Sequence, residues 1–400
     1  MDNDRAQAHT GIDAYRLEFS GSGVEFFRVW IVNVLLTVVT LGLYTPFARR
    51  RTAQYFWGHT IVADSPLEFS AQQRRMVVGF LLLVVLYVLF KVADETGNDT
   101  VASLMMLGGA ALAPYFWGSA MRFRLNATRW RGVRLQFTAR WGEVYRASWP
   151  LFLAALAWAA VAVLAAALVG PEPTPEARRE AVGPVVAAVL VALAVTVLCL
   201  IRLEFNYKSL LVARARIGGQ PGRWKPVFGD FVRIWAATVG VFLLSVVLVV
   251  VLLVAAIGGT AALAGSFRDR AGLAAVFFAF VLGVLAIFIL FLASGPARAY
   301  REARMFQLVW NNTGVSHLAR FKCDLRVGGY VLLRIRNIFL TLVTLGFFRP
   351  FAIVSEYRMK TQSVTLHVKG GLDQLAGQLA REEGSLGDAI ADAVGLDLVG

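Results

Sequence analysis

Four histidines and two cysteines carry the most versatile side-chain chemistry of this 400-residue chain: His9, His59, His317, His367, Cys199 and Cys323. A zinc or di-iron site needs such residues, with carboxylates, at short fixed spacings. None of the histidines stands at such a spacing from a Cys, Asp or Glu, so no metal site is expected. Cys199 falls in an apolar run and Cys323 in a basic connector, which gives neither a disulfide framework nor a zinc pattern. There is no P-loop and no G-x-S-x-G elbow. GGQPG (218–222) has the composition of a phosphate loop but lacks its Lys-Ser/Thr, and reads as a turn. No catalytic residue and no cofactor is expected, and the chain reads as non-enzymatic.

The remaining polar candidates are amides and guanidiniums. Asn33 and Asn337 each open a repeated apolar run and form a candidate structural polar pair, either bonded between helices or lining a cavity. Arg49, Arg50 and Arg51 follow a proline. Arg122, Arg124, Arg129, Arg131 and Arg134 crowd one connector. Each basic side chain beside an anionic bilayer surface contributes about 1 kcal/mol. These eight arginines are therefore candidate lipid-binding residues, and the expected partners are membrane lipids, anionic ones above all.

The elements that must position them are membrane helices. The chain is 58% hydrophobic and 16% charged, with a mean hydropathy of +0.62. Six nearly charge-free runs stand out: Met76–Phe90, Val101–Trp117, Pro150–Val169, Val182–Ile201, Ile234–Ile257 and Gly272–Ser294. Crossing a ~30 Å hydrocarbon core takes about 20 apolar residues. The expected fold is thus an all-α polytopic membrane protein with six transmembrane helices in three hairpins. The opening MDNDRAQAH has neither the basic start nor the apolar core of a cleavable signal peptide.

Charge gives the expected orientation. Connectors 49–75, 119–148, 202–233 and 295–329 carry +3, +6, +5 and +4, while 91–100, 170–181 and 259–271 carry −2, −1 and +1. Basic and non-basic connectors alternate, so the positive-inside rule assigns the basic ones to the cytoplasm. The charge follows topology, which argues against nucleic acid as a partner despite the net +14.

The basic connectors resemble one another. QYFWGHT (54–60) precedes LEFSA (67–71), RFRLNAT (122–128) precedes LQFTA (135–139), and QLVWNNT (307–313) precedes RFKCD (320–324). LEFSGSG (17–23) repeats the second half alone, and the third connector fits poorly, with no matching Thr. The alternation of LEFSA and LQFTA is that of half-buried strands. These short cytoplasmic β-like elements either pair as a collar under the membrane or stand as separate interfacial turns.

A second repeat joins the two ends of the chain. NVLLTVVTLGLYTPFA (33–48) matches NIFLTLVTLGFFRPFA (337–352) without a gap, ten of sixteen positions being identical. Residues 17–71 are related to 320–370 within a single membrane domain, 1–375. An acidic tail, 376–400, follows it, and leucines from 372 onward have helical spacing. Each TLG ends a helix with Gly at C′, and Pro46 opens the next. Arg334 and Arg336 shorten the apolar run of the second copy, which favours non-crossing segments with both termini inside.

The stretch from Leu17 to Thr60, with RFRLNATRWRGVRLQF, LVWNNTGVSHLARF and the ending LGDAIADAVGLDLVG, resembles the YjgN-like family, bacterial inner-membrane proteins typified by a domain of unknown function. The resemblance covers essentially the whole chain, implies a multi-pass inner-membrane location, and supplies no catalytic residues. Two functions remain open. One is a transporter or channel-like protein, although the six runs hold no interior Asp or Glu of the kind proton-driven carriers use. The other is a non-catalytic scaffold whose basic collar holds anionic lipid or a cytoplasmic partner.

Overall fold

The alternating stretches of the connectors are β-strands, and they pair with one another. In the computed structural model, residues 12–95, 99–170, 175–225, 227–261, 273–370 and 377 are described. Over 252–261, most of 273–292 and several positions near 94–106 and 176–178, the backbone alone is described. The acidic tail, with its leucine-spaced stretch, lies outside the described residues apart from Gly377.

The chain starts with β1 (Ile12–Arg16) and β2 (Glu18–Phe19), then α1 (Gly23–Val39) and α2 (Thr45–Gly58). β3 (Thr60–Val62) and β4 (Ser65–Phe69) precede α3 (Gln73–Glu95) and α4 (Asp99–Asn126). β5 (Thr128–Trp130) and β6 (Val133–Phe137) precede the short α5 (Trp141–Ala147), α6 (Trp149–Val169) and α7 (Pro175–Arg214). β7 (Ala215–Ile217) and β8 (Gln220–Trp224) precede α8 (Phe228–Ala261) and α9 (Leu273–Asn311). β9 (Thr313–Val315) and β10 (Ala319–Cys323) precede α10 (Val327–Val343), α11 (Arg349–Thr361) and the last strand, β11 (Val364–Lys369).

Among the described residues, eleven strands form one antiparallel sheet in the order β1-β11-β10-β9-β8-β7-β6-β5-β4-β3-β2. Its two end strands are consecutive in the chain and separated only by Leu17, whose N–H donates to Val364 O at 2.9 Å. The sheet therefore all but closes on itself as a ring. This corrects the all-α expectation. Each short strand has two edges to satisfy, and the neighbouring connectors supply them. Pairs of helices (α1 with α2, α3 with α4, α6 with α7, α8 with α9, α10 with α11) leave the ring and return to it.

The hairpins repeat in register. Phe19, Phe69, Phe137, Trp224 and Cys323 stand opposite Thr60, Thr128, Ala215, Thr313 and Val364. The third connector thus occupies the same place as the others, with Ala215 where three of them have Thr. The fifth unit is split: α11 and β11 supply one half from the C-terminal side, β1, β2 and α1 the other. Three turns have two central residues, both left-handed: Ala63-Asp64, Arg131-Gly132 and Gly218-Gly219. That is the hairpin geometry whose twist matches the strands, and it makes GGQPG a turn.

Inward side chains fill the ring. Leu17, Leu67, Trp130, Leu135, Ile217, Val315, Phe321 and Leu366 surround an apolar cavity of about 190 Å³ to which every unit contributes.

The expectation of six spans is also corrected. Among the described residues four stretches are long and apolar enough to cross a bilayer: Gln73–Ala93, Trp149–Val169, Arg179–Arg214 and Phe228–Val251. In α4 the clean run Val101–Trp117 sits at the lower length limit for crossing, and the apolar half of α9 has few described side chains. The spans leave most of their apolar surface uncovered, as at Leu156, Val163, Leu190 and Leu244.

The TLG segments are tips. α1 is 17 residues and α2 is 14, about 25 and 21 Å at 1.5 Å per residue. Thr40 is the C-cap, and Gly42 N donates to Thr37 O at 2.7 Å while Leu41 N donates to Val38 O at 3.1 Å. This Schellman pattern puts Leu41, not Gly42, at C′. Leu41 and Leu345 both adopt φ 49 and are 94% and 91% exposed. The Thr of each motif then accepts from the next helix: Tyr44 N and Phe348 N donate to Thr40 Oγ1 and Thr344 Oγ1.

Candidate functional site

The joints between helix and strand set the positions of the basic residues. The recurrent Thr donates its hydroxyl back to the last helical turn: Thr60 to Phe56 O (2.7 Å), Thr128 to Arg124 O (3.0 Å) and Thr313 to Val309 O (2.7 Å). Neighbouring units are tied through the same hydroxyls. Trp57 Nε1 donates to Thr128 Oγ1 at 3.0 Å, and Tyr357 Oη lies 2.9 Å from Thr60 Oγ1.

The five arginines of the second connector have different surroundings. Arg122 donates to Ala139 O at 2.6 Å and lies 3.9 Å from the Trp141 ring centroid. Arg131 donates to Ser65 Oγ (2.9 Å) and Ala63 O (3.0 Å). Arg131 thus ties its hairpin to the neighbouring β3–β4 hairpin, while Arg122 ties α4 to the segment after β6. Arg129 sits between Glu68 and Arg134 across the strands, and its Nε is buried without a partner among the described residues. Arg124 and Arg134 are exposed. Arg49, Arg50 and Arg51 belong to a different place, the tip half of α2. Arg49 and Arg51 are exposed there; Arg50 is half-buried, its Nε without a partner among the described residues.

The outer face of the ring holds cations that sequence reasoning missed. Arg216, Arg223, Arg320 and Lys322 are exposed on strands β7, β8 and β10, and with Arg134 they face outward against two exposed carboxylates, Glu18 and Glu68. The signal was present as alternation in ARI, QPGRW and ARFKC. The missing Thr hid the third connector.

Asn33 and Asn337 are both buried, but each bonds within its own helix pair. Asn33 Nδ2 donates to Ala48 O at 3.4 Å. Asn337 Nδ2 donates to Ala352 O (3.3 Å), Ser355 Oγ (3.0 Å) and Glu356 Oε1 (2.9 Å). Both side-chain oxygens are buried without a partner among the described residues.

Around Asn337 lies a charge cluster the sequence gave no reason to assemble. Arg334 pairs with Glu356 and stands 3.9 Å from Glu302. Glu302 also receives Lys360 Nζ at 2.7 Å and Tyr330 Oη at 2.9 Å. Burial alone would raise the Glu302 carboxyl; the hydrogen bond and charge of Lys360, aided by Tyr330 and Arg334, outweigh it and hold the group below the usual carboxylate range. In the first repeat copy the positions of Tyr330, Arg334, Glu356 and Lys360 are taken by Phe26, Trp30, Thr52 and Phe56, an aromatic interior.

The histidines hold local structure. His59 Nδ1 lies 2.8 Å from Tyr55 O, and His317 Nδ1 lies 3.1 Å from Ser316 Oγ. His367 is on β11 opposite Arg320, and His9 lies outside the described residues. Cys199 and Cys323 are buried and free. Among the described residues no group of three His, Cys, Asp or Glu is placed to hold a metal.

A family model described as a bacterial protein of unknown function (DUF898) matches residues 14–393. The chain belongs to the DUF898 family. Relatives in it include the inner membrane protein YjgN of Salmonella typhimurium, 25% identical over 138 residues, which is 34% of this chain and 34% of that protein. YjgN of Escherichia coli K12 is 25% identical over 126 residues, 32% of each chain. The chain thus matches about a third of the length of these curated relatives. No solved structure matches. DUF898 is the YjgN-like family indicated by LEFSGSG, TLG and the basic-aromatic connectors, and its relatives are named for the inner membrane.

Proposed function

We propose that this DUF898 protein is a non-enzymatic, multi-pass protein of the bacterial inner membrane that holds anionic phospholipid against the outer face of its strand ring. The ring lies at the cytoplasmic surface, where the positive-inside rule puts connectors of this charge. The first and last described strands, β1 and β11, lie there too. The TLG helix pairs lie along the interface, too short and too rich in arginine to cross, with Leu41 and Leu345 reaching the acyl boundary.

One observation carries the reading. The ring's interior is apolar, while its exposed exterior has Arg134, Arg216, Arg223, Arg320 and Lys322 against Glu18 and Glu68. Such a surface attracts headgroup phosphates and has no need of nucleic acid or a cofactor. Replacing exposed Arg134, Arg216 and Arg223 with Gln tests it. Each change removes about 1 kcal/mol of attraction, so anionic lipid co-purifying with the triple variant should fall severalfold with the fold intact. Unchanged lipid in a correctly oriented variant rejects the proposal.

A second reading draws on the cavity at the ring's centre. In a channel-like protein that apolar constriction would be a gate that closes by dewetting. Leu135→Asn would then raise ion leak through reconstituted vesicles, whereas the lipid-holding reading expects none.

A further inference from the structure

The two repeat copies differ in one place where the fold is the same. On the corresponding face of α10 and α11 the space is filled: Arg334 meets Glu356, Tyr357 packs on Phe56 of α2 and Phe19 of β2, and α9 lies alongside, with Gly295 close to Ile338. Between α1 and α2 the corresponding residues are Trp30, Thr52 and Ala53, and a groove of about 510 Å³ stands open. Its walls include Trp30, Val34, Ala53 and Phe56, with Arg49 among its lining residues.

The groove has a polar floor and one cation at its side. Asn33 is 6% exposed and lines it, and its Oδ1 has no donor among the described residues. Its Nδ2 is spent on Ala48 O, so the amide belongs to the floor of the groove and the charge that a ligand can meet is that of Arg49. Arg49 is exposed beside the same space and takes an anion.

We infer that the α1–α2 groove is a specific site for one anionic phospholipid of the phosphatidylglycerol type: acyl carbons along the aromatic walls and the phosphate on Arg49. The inference rests on the lipid-holding reading above but places a single tight site away from the ring. A zwitterionic choline headgroup offers no net charge to Arg49, so it is excluded.

The test is native mass spectrometry of the full chain, released from nanodiscs of phosphatidylglycerol or of phosphatidylcholine. The wild type should keep one phosphatidylglycerol per chain and no phosphatidylcholine. Ala53→Tyr fills the groove with the residue the second copy already carries at that position, Tyr357, and should abolish the adduct. Arg49→Gln, at an exposed position that leaves folding alone, should weaken retention about fivefold, the equivalent of one interfacial charge. Arg134→Gln, Arg216→Gln and Arg223→Gln together should lower total co-purified lipid yet leave the single adduct. Equal retention of phosphatidylcholine, or an adduct undiminished in either groove variant, overturns the site. Loss of the adduct in the ring variant alone assigns the lipid to the ring instead.

Discussion

At the residue scale, the two asparagines show how equal sequence context yields unequal roles. Both amides reach a carbonyl fifteen residues on, but only Asn337 also reaches Ser355 and Glu356. Removing Asn337 strips a partner from a buried carboxylate, and that loss is costlier than a neutral one. Asn337→Leu is expected to lower stability in detergent by roughly 2–3 kcal/mol, and Asn33→Leu by about 1 kcal/mol or less. They share no partner, so thermal unfolding of the double variant should show additive losses. A coupling above about 0.5 kcal/mol would mean the two ends act as a unit. The recurrent Thr is the clearest case of a residue legible as a signal before its job was: its spacing marked the unit, and only the fold shows its hydroxyl closing the last helical turn.

At the element scale, α9, α10 and α11 are fastened by charge where α1 and α2 are fastened by rings. Glu302 is held below its ordinary value near 4.5. A carboxyl depressed on folding contributes stability that is complete above that value and is lost as pH falls through it toward the folded value. Melting temperature followed across acid pH should therefore stay level down to about pH 5 and then decline. Glu302→Gln should flatten part of that decline while lowering the plateau. A decline of unchanged size in the variant would assign the acid sensitivity to other carboxylates. The helical runs were readable from apolar length, the helix breaks from TLG and Pro46, and two of the strands from the alternation of LEFSA and LQFTA; the strands of the third connector were not. Nor were the partners of any strand, because LEFSA and LQFTA state a pattern and contain nothing that selects which edge meets which. The span count failed for a related reason, since an apolar run such as Val101–Trp117 gives length and composition and does not show whether a helix crosses.

At the scale of the whole molecule, one sheet gathers every basic connector and both the first and the last described strand. Single cysteines placed at 124, 216 and 320 in a cysteine-free background should react only with reagent on the cytoplasmic side. Labelling of any one of them from outside would break the topology, because β5 to β10 cannot pair across a bilayer. Ile12 stands opposite Lys369, so the first and last described strands are neighbours. A circular permutant that joins them and opens the chain within 171–174 should insert and melt like the parent.

The split fifth unit also sets a timetable. β1 is among the first segments to leave the ribosome, yet its partner β11 lies 357 positions later, from Ile12 to Lys369. At roughly 5–20 residues per second, that is about 20–70 seconds during which the first strand has no strand partner. Four joints assemble in the order they are made, and the last waits for β11. A nascent chain stalled before residue 364 would carry every span and every internal hairpin and still present two raw edges, at β1 and β10, to whatever quality-control protease patrols the membrane face.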